Sequence, residues 1–246
     1  MVLLSREEWR CWVARWSAFS IWLPTRECGA RDWAAIWCRA WRPGARRGEP
    51  VGPTCRWLIE LQMYPPFKSA TPMEWLQVNY DVIWTGCWSK GVVCIEAGAN
   101  GTQDLDDPSW EGVFDRNLRD SGAVMVGAGT PTGRVAEWFT NYGSRMDVHA
   151  WGSEIVTTGY GDLYRGGSLQ TEYTSDFGGT SGASPMVTGA ALCLQGISRQ
   201  VYGTHLPPPL LRRLLNETAV PHLDPVKEIG PRPDLGAAVE RLLEGL

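Results

Sequence analysis

The 246-residue chain is predicted to fold as a three-layer α/β/α structure around a mainly parallel sheet, incomplete at its N-terminal side. Apolar runs of strand length alternate with longer helix-like stretches, and one strand–helix–strand unit implies parallel pairing, because only a crossover connection joins parallel neighbours. In addition, Ser184 to Ile197 is apolar nearly all round, as a helix buried against a sheet would be.

The elements follow in order. Trp57-Leu58-Ile59-Glu60-Leu61-Gln62 reads as a strand, Met73 to Lys90 as a helix ended by Gly91, and Val92 to Ala97 as the next strand. Gly122 to Gly129 is a further strand, made of small and β-branched residues. After the helix at Ser184 to Ile197, helices over about Pro209 to Glu217 and Asp234 to Leu243 close the chain. This pattern assigns residues 51–246 to one domain and sets residues 1–50 apart.

The first fifty residues carry seven of the 14 tryptophans and nine arginines but no lysine. Globular segments mix Lys with Arg and use Trp sparingly, and Trp with Arg is what GC-rich DNA yields in a wrong frame. The expectation is that a frame change or misplaced start replaced the N-terminal part of a larger domain. A natural amphipathic helix is the other reading, since Trp9, Trp12, Val13, Trp16 and Phe19 recur at spacings of three and four.

Composition excludes several classes. A net charge of −4 and a pI near 5.5 leave no basic footprint for nucleic acid. Cys11, Cys28, Cys38, Cys55, Cys87, Cys94 and Cys193 form no C-x-x-C pair, so neither a disulfide framework nor a zinc site is expected. No signal peptide and no membrane span are expected, because Met1-Val2-Leu3-Leu4 runs straight into Ser5-Arg6-Glu7-Glu8.

The chemistry concentrates in Gly179-Thr180-Ser181-Gly182-Ala183-Ser184-Pro185. A serine behind a glycine turn, at the start of a helix, has an exposed hydroxyl and a first-turn N–H with no helical partner. That is half of an acyl-transfer site. The rival G-x-S-x-G pattern needs glycine where the chain has Ala183.

This stretch resembles the G-T-S-x-A-[ST]-P signature around the nucleophile of subtilisin-like serine proteases, matching at every specified position. A second resemblance is Gly91-Val92-Val93-Cys94-Ile95-Glu96-Ala97-Gly98-Ala99-Asn100-Gly101, where the family has an asparagine donating to the oxyanion. The resemblance implies Ser181 as nucleophile and Asn100, with the Ser181 N–H, as oxyanion hole. Such a donor contributes about 100- to 1,000-fold in turnover, a range known from subtilisin's own asparagine. The family order before the asparagine is Ala-Gly, whereas this chain reads Gly98-Ala99. The resemblance further implies that Glu96, Ala97 and Gly98 wall the pocket for the residue before the scissile bond. Phe139-Thr140-Asn141-Tyr142-Gly143-Ser144 resembles the family's F-S-N-x-G turn, and Met146-Asp147-Val148 with Ala150-Trp151-Gly152 its next strand and exit.

Serine needs an adjacent base oriented by a third group, and in this family both precede the asparagine in D-[ST]-G and H-G motifs. All three histidines, His149, His205 and His222, follow Asn100, and none stands before a glycine. His149 is read as a surface position at a strand end. Asp120-Ser121-Gly122 spells D-[ST]-G but precedes a strand, so it is read as a turn. Asp176-Phe177-Gly178 lacks the other parts of a kinase site and is read as the approach to Ser181.

No cofactor is expected. Asp104, Asp106 and Asp107 raise calcium, which the family often binds, but their spacing fits a solvated acidic loop better. Two functions therefore compete. One is a serine endopeptidase acting on peptide or protein substrates, with base and acid missing and the chain inactive alone. The other is a catalytically dead remnant that binds peptides or partners. The resemblance implies secretion, and oligomeric state has no signature in the sequence.

Overall fold

The structure is a computed structural model, and it describes residues 56–58, 61–62 and 70–245. The Trp/Arg-rich stretch 1–50 and its boundary at residue 51 lie outside the described residues. Two compact units divide the rest: Thr157–Thr174, and Pro53–Val156 with Ser175–Leu246.

In the larger unit, β1 (Arg56–Leu58), β4 (Cys94–Ala97), β5 (Val124–Gly129) and β6 (Val148–Trp151) form a parallel sheet in the order β1-β4-β5-β6. β2 (Leu61–Gln62) and β3 (Ala70–Thr71) make a short antiparallel pair beside it in sequence. Side chains alternate across β4 and β5, as strand geometry requires, and both faces are buried. Ile95, Val124, Val126 and Val148 pack against helices α2 (Thr180–Tyr202), α3 (Pro208–Glu217) and α4 (Leu235–Leu243). On the other face Cys94 meets Ile83 and Cys87, and Met125 meets Leu105, Trp110 and Phe114. The expected three layers are present.

The helix expected over Met73 to Lys90 is broken. A 3₁₀ turn at Met73–Trp75 is followed by extended Leu76, then α1 (Gln77–Trp84), then a π turn at Thr85–Ser89. The break has a physical cause in Glu74, which is fully buried and turned inward: its N–H donates to Glu96 Oε1 at 2.9 Å and its carboxylate grips Arg145. A continuous helix would carry that side chain off the line.

Helix α2 is longer than the expected Ser184–Ile197. Ala183, Val187, Ala191 and Leu194 are buried, but Met186, Leu192 and Val201 are exposed, so it is not covered all round. Gly203 ends it with φ of 70°, a left-handed cap that only glycine adopts at little cost. Asp234 starts α4 by accepting the Ala237 N–H at 3.0 Å.

Residues 155–177 hold an antiparallel ribbon absent from the sequence-based scheme: β7 (Ile155–Thr158), β8 (Tyr164–Arg165) and β9 (Glu172–Phe177), in the order β7-β9-β8. Within the smaller unit Tyr164 pairs with Tyr173 and Arg165 with Glu172. Among the described residues, no helix is long and apolar enough to cross a membrane.

Candidate active site

The nucleophile turn is held by close backbone packing. Gly179 N–H donates to the Gly152 carbonyl at 2.8 Å, and a Cβ on Gly178 would lie 2.6 Å from that oxygen. A Cβ on Gly182 would lie 2.5 Å from Ile155 Cδ1. Gly179 itself has φ of 92°. These glycines let the chain enter α2 tightly enough to present Ser181 on the first turn, half-buried. Pro185 has no N–H, so the helix closes no i→i−4 bond to the Ser181 carbonyl.

Asn100 stands at the end of β4, and its Oδ1 accepts the Thr180 N–H at 2.9 Å and the Thr180 hydroxyl at 3.0 Å. A backbone N–H requires an acceptor, so this contact assigns the amide: oxygen faces Thr180 and Nδ2 takes the other side. Nδ2 lies 3.1 Å from where a Cβ on Gly179 would stand. The two bonds to Thr180 fix the Asn100 amide against the turn at the start of α2.

Asn141, which stands in the F-S-N-x-G resemblance with no site role assigned to it, holds the Asn100 loop. It is fully buried, and its Oδ1 accepts the Gly101 N–H at 3.0 Å and the Gln103 N–H at 2.9 Å. Its Nδ2 donates to the Gly98 carbonyl at 2.8 Å and the Ala70 carbonyl at 3.2 Å, and its N–H to the Ala99 carbonyl at 3.1 Å. One side chain thus brackets Asn100 on both sides.

Glu96, Ala97 and Gly98 are buried. The Glu96 side chain faces the Glu74 N–H, while its Oε2 has no partner among the described residues. Burial, and then the charge of Glu74, push its carboxyl well above the usual carboxylate range. Beside it Arg145 bonds Glu74 through Nε at 2.6 Å and Nη2 at 3.0 Å, and Asp147 through Nη1 at 2.8 Å.

No histidine contacts Ser181. His149 is fully buried rather than at the surface, because residues 229–232 cover β6: its N–H donates to the Pro231 carbonyl at 2.9 Å and its Nδ1 to the Gly230 carbonyl at 2.6 Å. Its ring fills the space over Gly129, where a Cβ would lie 2.6 Å from Cδ2. Nδ1 therefore carries the proton, and Nε2 is buried without a hydrogen-bond partner among the described residues. Burial pushes the ring pKa down to about 4. His222 meets Glu228 at 2.9 Å, and His205 lines a cleft with Cys87 and Pro207. Among the described residues, the Ser181 hydroxyl has no hydrogen-bond partner and neither open cleft includes it.

Asp120 is in a turn, as expected: Oδ1 accepts the Gly122 N–H at 2.8 Å and the carboxylate pairs with Arg212 at 2.6 Å. Asp104, Asp106 and Asp107 accept the amides of Asp106, Ser144 and Ser109 respectively, which caps turns.

The subtilase family model matches residues 34–239. A thermophilic serine proteinase of Bacillus sp. (strain AK1) is 39% identical over 124 residues, covering 50% of this chain and 24% of that protein. The aligned stretch thus spans about a quarter of that relative. Two solved structures are similar: the patellamide maturation protease PatA, with a TM-score of 0.49 and 23% identity over 70% of this chain and 57% of that one, and fervidolysin from Fervidobacterium pennivorans, a keratinolytic enzyme related to subtilisin, with a TM-score of 0.46 and 22% identity over 67% and 25%.

Proposed function

Because the chain belongs to the subtilase family, we propose that it carries the nucleophile and oxyanion parts of a serine-type endopeptidase acting on peptide or protein substrates. Ser181 attacks the peptide carbonyl, and Asn100 Nδ2 and the Ser181 N–H receive the developing oxyanion. Thr180 orients the Asn100 amide, and the small residues Ala97 and Gly98, with the backbone of Glu96, wall the pocket for the residue before the scissile bond. The observation that carries this reading is the 2.9 Å bond from the Thr180 N–H to Asn100 Oδ1, which joins two motifs 80 residues apart.

The chain alone does not turn over peptides on this reading. His149 is shielded and neutral, and its Nε2 is buried with no hydrogen-bond partner among the described residues. Removing the base from such a triad costs about six orders of magnitude in turnover, the value for subtilisin itself. The chain would then bind peptides without cleaving them. Intact mass after fluorophosphonate treatment tests both parts, comparing the chain with Ser181→Ala. No adduct is expected at neutral pH where a complete subtilase reacts fully. Rapid labelling abolished by Ser181→Ala would overturn inactivity, and rapid labelling that survives it would overturn Ser181 as the nucleophile.

A further inference from the structure

Away from the nucleophile turn, two reduced thiols meet where the α1 region crosses the start of β4. Cys87 lies in the π turn Thr85–Ser89 and Cys94 is the first residue of β4; both are buried in one small cluster with Ile83 and Ala123. The turn is tied to the strand by the Val92 N–H, which donates to the Gly86 carbonyl at 2.9 Å, and a Cβ on Gly86 would lie 3.5 Å from Cys94 Sγ. Cys87 follows Gly86 directly, so its thiol and the Cys94 thiol share one small buried space. Cys87 also lines a solvent-open cleft of about 500 Å³, together with Trp88, Lys90, His205 and Pro207.

We propose that Cys87 and Cys94 form a dithiol that a low-molecular-weight disulfide oxidises through this cleft, linking the π turn to β4. Cys87, on the cleft, is the attacking sulfur and Cys94 resolves. The Cys87 thiolate attacks one sulfur of the small disulfide and forms a mixed disulfide, and the released thiolate takes up a proton. Cys94 then loses its proton and attacks Cys87 Sγ, expelling the second small thiol. Two protein thiols are oxidised and one small disulfide is reduced to two thiols. The hydrogen bonds from Cys94, and then the charge of Arg212, hold the Cys87 thiol below the ordinary cysteine range against burial and the charge of Asp120, which favours Cys87 as the nucleophile. Cys193 is exposed and serves as the internal comparison.

Trypsin cuts after Lys68, Lys90 and Arg116, so the peptides 69–90 and 91–116 stay joined only through a Cys87–Cys94 bond. The native full-length chain is incubated with oxidised glutathione, alkylated in denaturant without reductant, digested and mapped by mass spectrometry. The expected result is the joined peptide pair, dissolved by dithiothreitol, with the chain two mass units lighter per bond formed. Alkylated Cys87 and Cys94 alongside a glutathione adduct on Cys193 would overturn the proposal, as would bonds from either residue to another cysteine. Cys94→Ser is expected to trap glutathione on Cys87, and Cys87 still fully alkylated in that variant would also overturn it. The unsubstituted chain decides the question even if the variant does not fold.

Discussion

Two polar clusters built on β4 and on residues 139–147 follow opposite rules. At the C-terminal end of the strand the bonds are neutral: Asn100 accepts from Thr180, and Asn141, with every side-chain polar group paired, holds the backbone on either side of Asn100. Two residues before Gly98, charges are buried instead: Glu74, Arg145 and Asp147 are closed to solvent, and Glu96, its carboxyl pushed up by burial, has one oxygen unpartnered among the described residues. The difference teaches where each device is useful. Neutral amides fix a reacting group without imposing a field on it, whereas an ion cluster anchors a segment strongly but tolerates no partial loss. Asn141 and Arg145 lie four residues apart, so one short segment is anchored by charge and transmits position by amide.

The largest effect should come from Arg145→Met. It leaves the Glu74 and Asp147 carboxylates buried, Glu74 with Ser121 and Asp147 with Arg116, Arg212 and the Met125 N–H. Breaking a buried ion cluster from one side costs about 4–5 kcal/mol, read as a drop in the urea unfolding free energy. A loss below about 1 kcal/mol would remove the distinction between the two clusters, because ordinary surface changes cost that little.

Asn141→Ala should cost about 3 kcal/mol, since it strands the Gly98 carbonyl and the Gly101 and Gln103 amides away from water. Its sharper signature is local. Hydrogen exchange at Gly101 and Gln103 should accelerate well beyond the change in global stability, whereas Arg145→Met should raise exchange across the unit. Equal acceleration everywhere in both variants would erase the comparison.

These clusters also show what was legible. The motifs around Ser181 and Asn100 are legible because each is contiguous in sequence, and β4, β5 and the three helices after residue 179 because their apolar runs are long. The break at Leu76 was hidden, because its cause is Glu74 reaching Arg145, 71 residues away. Burial of His149 was hidden in the same way, since the segment covering it returns 81 residues later and local alternation with Val148 and Ala150 carries no trace of it. The ribbon at 155–177 alternates exposed residues such as Val156 and Tyr173 without an apolar run, so no period marked it.

The covered histidine makes stability depend on acid. Its folded pKa of about 4 lies below the ordinary value of 6.5, so between these limits the unfolded chain binds a proton that the folded chain refuses. Stability is therefore complete above about pH 6.5 and falls by about 2–3 kcal/mol as pH drops towards 4. His149→Gln should flatten that fall in urea midpoints measured from pH 7 to pH 4. Glu96 acts in the opposite sense: its raised folded pKa makes its burial a cost that grows as pH rises above the carboxylate range, and Glu96→Gln should remove that alkaline slope. An unchanged acid limb in His149→Gln would sink the assignment.

The smallest effect concerns the order Gly98-Ala99 just before Asn100, where the subtilisin-like pattern has Ala-Gly. Ala99 has φ of 70°, a conformation that costs an L-residue about 1–2 kcal/mol. Ala99→Gly relieves it but adds about 0.5–1 kcal/mol of unfolded-chain entropy. The net expectation is a gain of about 0.5 kcal/mol, with the Asn100–Thr180 contact kept. Gly98 has no such freedom. A Cβ there would lie 2.9 Å from the Val126 carbonyl oxygen and 2.6 Å from Met146 Cε. Methionine could swing aside, but the carbonyl belongs to β5 and accepts the Gly98 N–H at 2.8 Å. Gly98→Ala should therefore lose about 1–3 kcal/mol by overpacking, and restoring the family order in the double variant should lose nearly as much. If the double variant is instead more stable than the parent by thermal unfolding, close packing at Gly98 is not what keeps glycine in the first position.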